Sequence, residues 1–277
     1  MNMKTILITG GSSGLGLEAC RQLGRMGHRI LFIGHDAARC KAAKLEIEKY
    51  TLHQNIDFFT GDLSSQSGIR RLASEIHART DKIDVLINNA GGIFNQFTLS
   101  DDGIEKTFAL NHLAYFLLTQ LLLDLIPPGG RIINVASDSH FSGTIDQERF
   151  QQDKNYRMMQ AYAQSKLANV LFTYELARRV VHKNITVNAI SPGRVRTHIG
   201  NKNQPWYISW GWSLLTAFSS VSPEESVKTF VMLATDEKLK HTSGKYFHAC
   251  AEKKSSKLSY DAELARELWN VSEKLTK

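Results

Sequence analysis

Cysteine is scarce in this chain. Three residues in 277, Cys20, Cys40 and Cys250, are widely spaced and include no Cys-x-x-Cys pair. That excludes a disulfide framework and a cysteine zinc site, and it fits a reducing, cytoplasmic setting. The ten histidines show no ligand spacing, so no metal is indicated. A long apolar run is also missing. The greasiest stretch, Leu110 to Ile126, is broken by Asn111, His112, Thr119, Gln120 and Asp124, whereas a membrane span needs about twenty nearly uninterrupted apolar residues. It reads as a buried or subunit-packing helix, with a homo-oligomer left open. The start, Met1-Asn2-Met3-Lys4 before an apolar strand, has no signal-peptide layout, and a soluble protein without a membrane span is expected. Repeats, linkers and low-complexity tracts are absent, so residues 1–277 read as one domain.

The charge balance is basic, with a formal net charge of +7. Its clusters are short, however: Arg178-Arg179 and Lys253-Lys254 alternate with acids and apolar positions, beside no recognition motif. Nucleic acid is therefore not an expected partner, while positive charge suits a phosphate-bearing cofactor. An apolar fraction of 42% with 22% charged residues is ordinary globular composition.

Short β-rich runs alternate with helical patterns along the whole chain. Strands are expected at 5–9, 29–33, 56–60, 83–88, 131–137 and 185–191, with a short one at "KYFHA". Helices are expected through about Met26, near 37–50, 66–79 and 102–124, around Tyr162, near 223–234 and near 261–275. The strands do not alternate polar with apolar, as suits strands buried on both faces. This is an α/β pattern: a doubly wound, mainly parallel sheet of about seven strands flanked by helices. Ligands of such sheets lie outside the carboxyl ends of the strands. There the sequence places "TGGSSGLG", "NNAG", Ser137 and "SPGRVRT", rich in small residues, amides and hydroxyls.

In "TGGSSGLG", Gly10, Gly14 and Gly16 stand between a strand and a helix, where glycine permits unusual φ and lets helix-start amides face a pyrophosphate. The spacing is neither G-x-G-x-x-G nor a P-loop. These glycines, "NNAG", the Ser137 region, "YAQSK" and "SPGRVRT" follow the order of short-chain dehydrogenases/reductases. Longer phrases, "NHLAYFLLT", "AYAQSKLANVLFTYELARR", "SGKYFHAC" and "DAELARELWNVSEKL", resemble the retinol-dehydrogenase-like branch. The resemblance covers nearly the whole chain and implies a Rossmann fold and an NAD(P)-dependent oxidoreductase.

Carbonyl–alcohol interconversion needs a hydride, a proton donor or acceptor, and support for a developing oxyanion. Tyr162 and Lys166 stand four apart on one helix, roughly 5–6 Å apart at Cβ. At about 5 Å and an effective dielectric of about 20, the ammonium is worth roughly 3 kcal/mol to a phenolate, about two pKa units. The expectation is that Lys166 lowers the phenol toward its working range. Ser137, ending a strand in the same crevice, can hold the substrate oxygen. The resemblance makes Ser137, Tyr162, Lys166 and Asn111 the catalytic set, with Asn111 holding a water in a relay to Lys166, which also binds the nicotinamide ribose.

The resemblance also implies cofactor contacts. These run through Gly10, Ser12, Ser13, Gly14, Leu15 and Gly16 in the first turn, and through Asp62 and Leu63 on the adenine side. Asn89, Ala90 and Gly91 come near the adenosine ribose, and Pro192, Gly193, Val195 and Thr197 follow the sixth strand. Asp62 equally reads as a turn cap, and Asn88 and Asn89 as braces of the sheet. His140 and His112 read as structural or pocket-lining. Asp36, twenty residues past Gly16, is a candidate ribose acid for NAD. The residue straight after the second strand is Gly34, however, and His35 falls where relatives carry a basic residue for a 2′-phosphate, with Arg39 close by. NADP(H) is favoured, and NAD(H) is left open.

Residues about 194–222 hold Trp206, Tyr207, Trp210, Trp212 and Phe218, with three of the four tryptophans of the chain. A connection this long reads as a substrate lid for a hydrophobic small molecule, against alternatives of a loop anchored to the core, a second subunit or a membrane surface. It ends where Ser222, Pro223 and Glu225 suit N-cap, N1 and N3 of a helix. Relatives in this branch often carry an amino-terminal anchor, whereas this chain begins at its first strand, so a substrate other than retinol is considered. The competing functions are a catalytically silent nucleotide-binding scaffold and a reductase of carbon–carbon double bonds.

Overall fold

A computed structural model of the chain describes residues 3–152, 155–193 and 222–277. Its centre is a single eight-stranded sheet. The strands are β1 (Thr5–Thr9), β2 (Arg29–Gly34), β3 (Ile56–Thr60), β4 (Val85–Asn88), β5 (Arg131–Val135), β6 (Thr186–Ser191), β7 (Lys245–His248) and β8 (Ala251–Glu252). Their order is β3-β2-β1-β4-β5-β6-β7-β8, parallel except for the last pair. The order reverses between β1 and β4, so a crevice opens beyond their carboxyl ends.

The strands bury both faces, which is why their sequences do not alternate polar with apolar. Leu7, Leu31, Leu86 and Ile132 point to one side, against α3 (Gln66–His77), α4 (Lys106–Leu125) and α5 (Met158–Val180). Their neighbours Ile6, Ile8, Phe32 and Ile133 point to the other, against α1 (Gly14–Arg25), α2 (Ala37–Thr51) and α7 (Lys228–Thr235). A short α6 (Pro223–Ser226) precedes α7, capped by the Ser222 side chain accepting from Glu225 N, with Pro223 at its first position. The expected helix near 223–234 is thus broken at Val227.

By length and composition α4 could cross a membrane, but most of it is buried inside the protein. It also contains a π-turn at Ala109–Leu113 that the periodicity did not reveal. The last helix, α8 (Ala262–Leu275), lies across α4 and α5. Trp269 meets Phe116 and Phe172 at ring separations of 4.9 and 5.9 Å. Beside it, His112 Nε2 is 2.9 Å from Ser272 Oγ, and burial pushes this imidazole down to about 3. His112 is structural, as its sequence context suggests.

The count of eight strands rather than about seven comes from a tight turn at Ala249 and Cys250, with φ of 48° and 61°. The chain folds back there, and Phe247 and His248 pair with Glu252 and Ala251. Left-handed turns of this kind are usually marked by Asn-Gly or Asp-Gly. Neither is present, so nothing in the sequence announced the hairpin.

Candidate active site

The crevice begins with a clamp between β1 and β4. Thr9 is buried, and its hydroxyl accepts from Asn89 N and Ala90 N at 2.8 and 2.9 Å. Its carbonyl accepts from Asn89 Nδ2 at 2.8 Å. Asn89 therefore braces the two strand ends, and Asn88, one residue earlier, ties β4 to α4 and β5 by donating to Thr119 Oγ1 and Asn134 Oδ1.

The glycine turn closes against this brace. Gly10 and Gly14 take positive φ, and a Cβ on Gly16 would collide with the Gly10 carbonyl and Asn89 Nδ2. Ser13 is the N-cap of α1 by position, but its side chain caps nothing, and no acid occupies the first turn. The leading amides of a twelve-residue helix consequently face outward beside exposed Ser13 and Gly14. This is the arrangement that receives a phosphate. Leu15 is different: its side chain belongs to the core, which leaves only its backbone for a ligand.

At the end of β2, Gly34 is wedged. A Cβ there would collide with Cys40 Sγ and crowd Ser12 Oγ, so an acidic side chain has no room. Asp36, the alternative acid, is the N-cap of α2 and accepts from Arg39 N at 2.8 Å. His35 and Arg39 are both exposed on this rim. Asp62 caps its own turn, accepting from Ser64 N and Ser64 Oγ at 2.7 and 2.8 Å. Burial alone would raise its pKa, but those hydrogen bonds and the nearby His35 and Lys106 charges hold it below the usual value. Leu63 packs in the core.

The second half of the crevice gathers around α5. Ser137 follows β5 and caps a short 3-10 turn over Asp138–Ser142, accepting from Ser139 N at 3.2 Å. Its hydroxyl donates to Ser139 Oγ at 3.2 Å and lies close enough to the Tyr162 side chain to favour the phenolate. His140, fully buried, donates from Nδ1 to Ser137 O at 2.7 Å and accepts at Nε2 from Ser256 N at 3.0 Å. These two bonds fix one neutral tautomer, and burial lowers its pKa against the opposing pull of the Ser137 bond. The neighbouring Asp138 accepts from Tyr246 OH at 2.7 Å and Lys253 Nζ at 3.2 Å, tying the serine turn to β7 and the segment after β8.

Lys166 is 4% exposed, and its ammonium donates to Val135 O at 3.0 Å. It lies 5.6 Å from the centre of the Tyr162 ring, so the i, i+4 pair does form. The tuning differs from the sequence expectation. Burial drives Lys166 down to about 7, and burial also raises Tyr162, opposed only by the nearby Ser137 hydroxyl. Desolvation sets both shifts in the protein alone, because both groups lose water on folding.

Asn111, in the π-turn, joins the two halves. Its Oδ1 accepts from Gly92 N at 2.8 Å, while Nδ2 donates to Gly92 O and Ser165 Oγ, each at 3.0 Å. Both amide hydrogens are used, so the side chain is a clamp between the β4 turn and α5. The approach is close at Gly91: a Cβ there would sit 3.0 Å from Asn111 Oδ1 and 3.7 Å from Lys166 Nζ.

Ser137, Tyr162, Lys166, Asn111 and the "NNAG" turn are thus brought together. Pro192 and Gly193 follow β6, with Gly193 at φ 77° and a Cβ there 3.5 Å from His248 Cε1. Val195, Thr197 and the substrate loop expected at about 194–222 lie outside the described residues, Ser222 excepted.

Comparison with known proteins agrees with this geometry. The short chain dehydrogenase family matches residues 4–208. The chain belongs to that family. Retinol dehydrogenase 13 of Homo sapiens is 37% identical over 98% of this chain and 84% of its own length. Among solved structures, an uncharacterized protein from Mycobacterium paratuberculosis superposes with a TM-score of 0.79 at 29% identity, covering 99% and 93% of the two chains. The Pseudomonas aeruginosa RhlG/NADP active-site complex superposes with a TM-score of 0.68 at 26% identity, covering 88% and 94%. This short-chain dehydrogenase is therefore an oxidoreductase of the alcohol–carbonyl type, in the retinol-dehydrogenase-like branch. Sequence reasoning missed Thr9, Gly92, Ser165 and Asp138, which hold the named residues in place. Only Thr9 carried a signal, as a polar residue closing an apolar strand.

Proposed function

We propose that this short-chain dehydrogenase uses NADP(H) to interconvert a hydrophobic aldehyde or ketone with its alcohol, with Tyr162 as general acid and base. The observation that carries the reading is the cluster in which Tyr162 has Ser137 beside it while buried Lys166 lies one helical turn on, 5.6 Å from the Tyr162 ring centre and facing Gly91. When bound, the nicotinamide supplies or accepts the hydride.

The chain's own residues supply the rest. Ser13, Gly14 and the outward amides of α1 bind the pyrophosphate, with Gly10 and Gly16 letting the turn close against Asn89 and Ala90. Gly34 leaves no acid to repel a 2′-phosphate, and His35 and Arg39 supply positive charge at that rim. The related structure named as an NADP complex supports the same choice. Ser137 holds the substrate oxygen. Tyr162 donates its phenolic proton to that oxygen in reduction and takes it back in oxidation. Lys166 stabilises the phenolate left behind and fixes the ribose hydroxyls. Asn111 sets the distance between that lysine and the β4 turn.

A hydrophobic substrate is supported by Phe141, 48% exposed in the turn that begins at Ser137, and by the aromatic composition of residues about 194–222. The name of the retinol relative points the same way. We read the whole chain as one nucleotide-binding unit, and the three free thiols as fitting a reducing cytoplasm. The test is Tyr162→Phe. Turnover of hydrophobic aldehydes should fall about 10²–10⁴-fold while NADPH affinity is kept. Unchanged turnover would reject Tyr162 as the proton donor.

A further inference from the structure

The β7–β8 hairpin turns on Ala249 and Cys250, two exposed non-glycine residues at positive φ. Side chains are disfavoured in that region, and such backbone persists where surrounding contacts over-determine it, often beside functional sites. One such contact comes from α7, where Thr229 Oγ1 accepts from Cys250 N at 3.0 Å. The others lie across the hairpin. Phe247 and His248 pair with Glu252 and Ala251, and Lys253 N donates to Tyr246 O at 2.8 Å.

That last bond sets Tyr246 and Lys253 opposite one another, and both side chains reach one carboxylate. Tyr246 OH donates to Asp138 Oδ1 at 2.7 Å and Lys253 Nζ to Oδ2 at 3.2 Å, so each oxygen has its own donor. His248 Nδ1 stands 3.8 Å from Oδ2. Burial would raise the Asp138 carboxyl, but the Tyr246 and Lys253 hydrogen bonds hold it below its usual value.

Asp138 follows Ser137 directly and opens the 3-10 turn that Ser137 caps. The far end of that turn is wedged, since a Cβ on Gly143 would collide with Ala163 O, next to Tyr162 on α5. Its middle is tied by His140, between Ser137 O and Ser256 N. The near end is left to Asp138. The Lys253 and Asp138 side chains are 41% and 44% exposed, and an ion pair that open adds little to fold stability. What it fixes is position.

We propose that the hairpin positions Ser137: Tyr246 and Lys253 hold Asp138, and Asp138 sets where the serine hydroxyl stands. Lys253 also brings its ammonium to 5.4 Å from the Phe141 ring centre, so it holds the exposed aromatic of the same turn. Tyr246, Lys253 and Asp138 are positioning residues, and their catalytic consequence rests on the reductase reading above.

The experiment compares wild type, Asp138→Asn, Lys253→Met and Lys253→Arg in the full chain, by steady-state kinetics on a hydrophobic aldehyde and by ¹⁵N NMR of histidine. In Asp138→Asn and Lys253→Met, kcat should fall about tenfold with NADPH affinity kept, because small misplacements of a reacting group are costly. Lys253→Arg should restore most of the loss. His140 Nδ1–H reports the turn without turnover, because it donates to Ser137 O. Its exchange with water should be at least about threefold faster in Asp138→Asn and Lys253→Met. Wild-type exchange in both, or faster exchange with kcat unchanged, would overturn the proposal, whatever happens to Tm. Faster exchange in the variants of a chain whose wild type reduces no carbonyl would keep the positioning role and reject the reductase reading instead.

Discussion

At the ends of β1 and β4 the chain strips side chains away. Gly10 and Gly16 leave backbone against backbone, Gly91 makes room for the Asn111 side chain, and one threonine, Thr9, ties the strands together. Along α4 and α5 it does the reverse, burying Asn111, Tyr115 and Lys166 and half-burying Tyr162, whose polar atoms must find partners. The first half is defined by what would not fit, the second by what it costs to bury. A mutation in the first half should act through space and backbone pairing. One in the second should act through protonation and depend on pH.

Three substitutions break or sharpen that contrast. The largest effect is expected at Lys166→Met. Turnover should fall about 10²-fold or more, because the phenolate loses its cation. Stability should move the other way. The folded pKa of about 7 lies below the ordinary 10.5, so the unfolded chain holds this proton to higher pH. Burial of the lysine is thus penalised in full below about pH 7, and the penalty fades as pH rises toward the unfolded value. Urea unfolding should show Lys166→Met more stable than wild type by about 1–4 kcal/mol near neutral pH, with the gap closing in alkali. A gap independent of pH would show that the lysine is not desolvated.

Next is Thr9→Val, which keeps the shape of the side chain and removes the acceptor shared by Asn89 N and Ala90 N. Two part-buried amides lose a partner, and urea unfolding should report a loss of about 1–3 kcal/mol with little dependence on pH. A steep pH dependence would break the comparison. Arg39→Ala should have the smallest effect. Its guanidinium is exposed, so NADPH affinity should weaken about tenfold by titration, with NADH affinity unchanged. Equal weakening of both would remove Arg39 from 2′-phosphate selection.

The first half was the more legible in sequence. Glycines between a strand and a helix declare an absence, and the absence is itself the function. The layering of the sheet was equally plain, since β1 reads apolar at every position from Ile6 to Ile8. The second half was legible in its residues but not in their energetics. Tyr162 and Lys166 announced their spacing. Their burial, which reverses the sign of the expected tuning, depends on Val135, Tyr115 and Gly91 from three other elements. The clamp of Asn111 on Gly92 arises from a π-turn, a one-residue change in helix register that apolar periodicity does not encode. Likewise, the β7–β8 hairpin turns on two non-glycine residues at positive φ, held by pairing that only the fold supplies.

The central claim is that the two halves work as one site, with a nucleotide held by the first and a carbonyl reduced at the second. The most direct measurement is NADPH consumption by the purified wild-type chain over a panel of hydrophobic aldehydes and ketones, with NADPH binding measured on the same sample. The account predicts tight binding and turnover of at least part of the panel, with NADPH preferred over NADH. Tight binding with no turnover across the panel would contradict it and leave a nucleotide-binding scaffold.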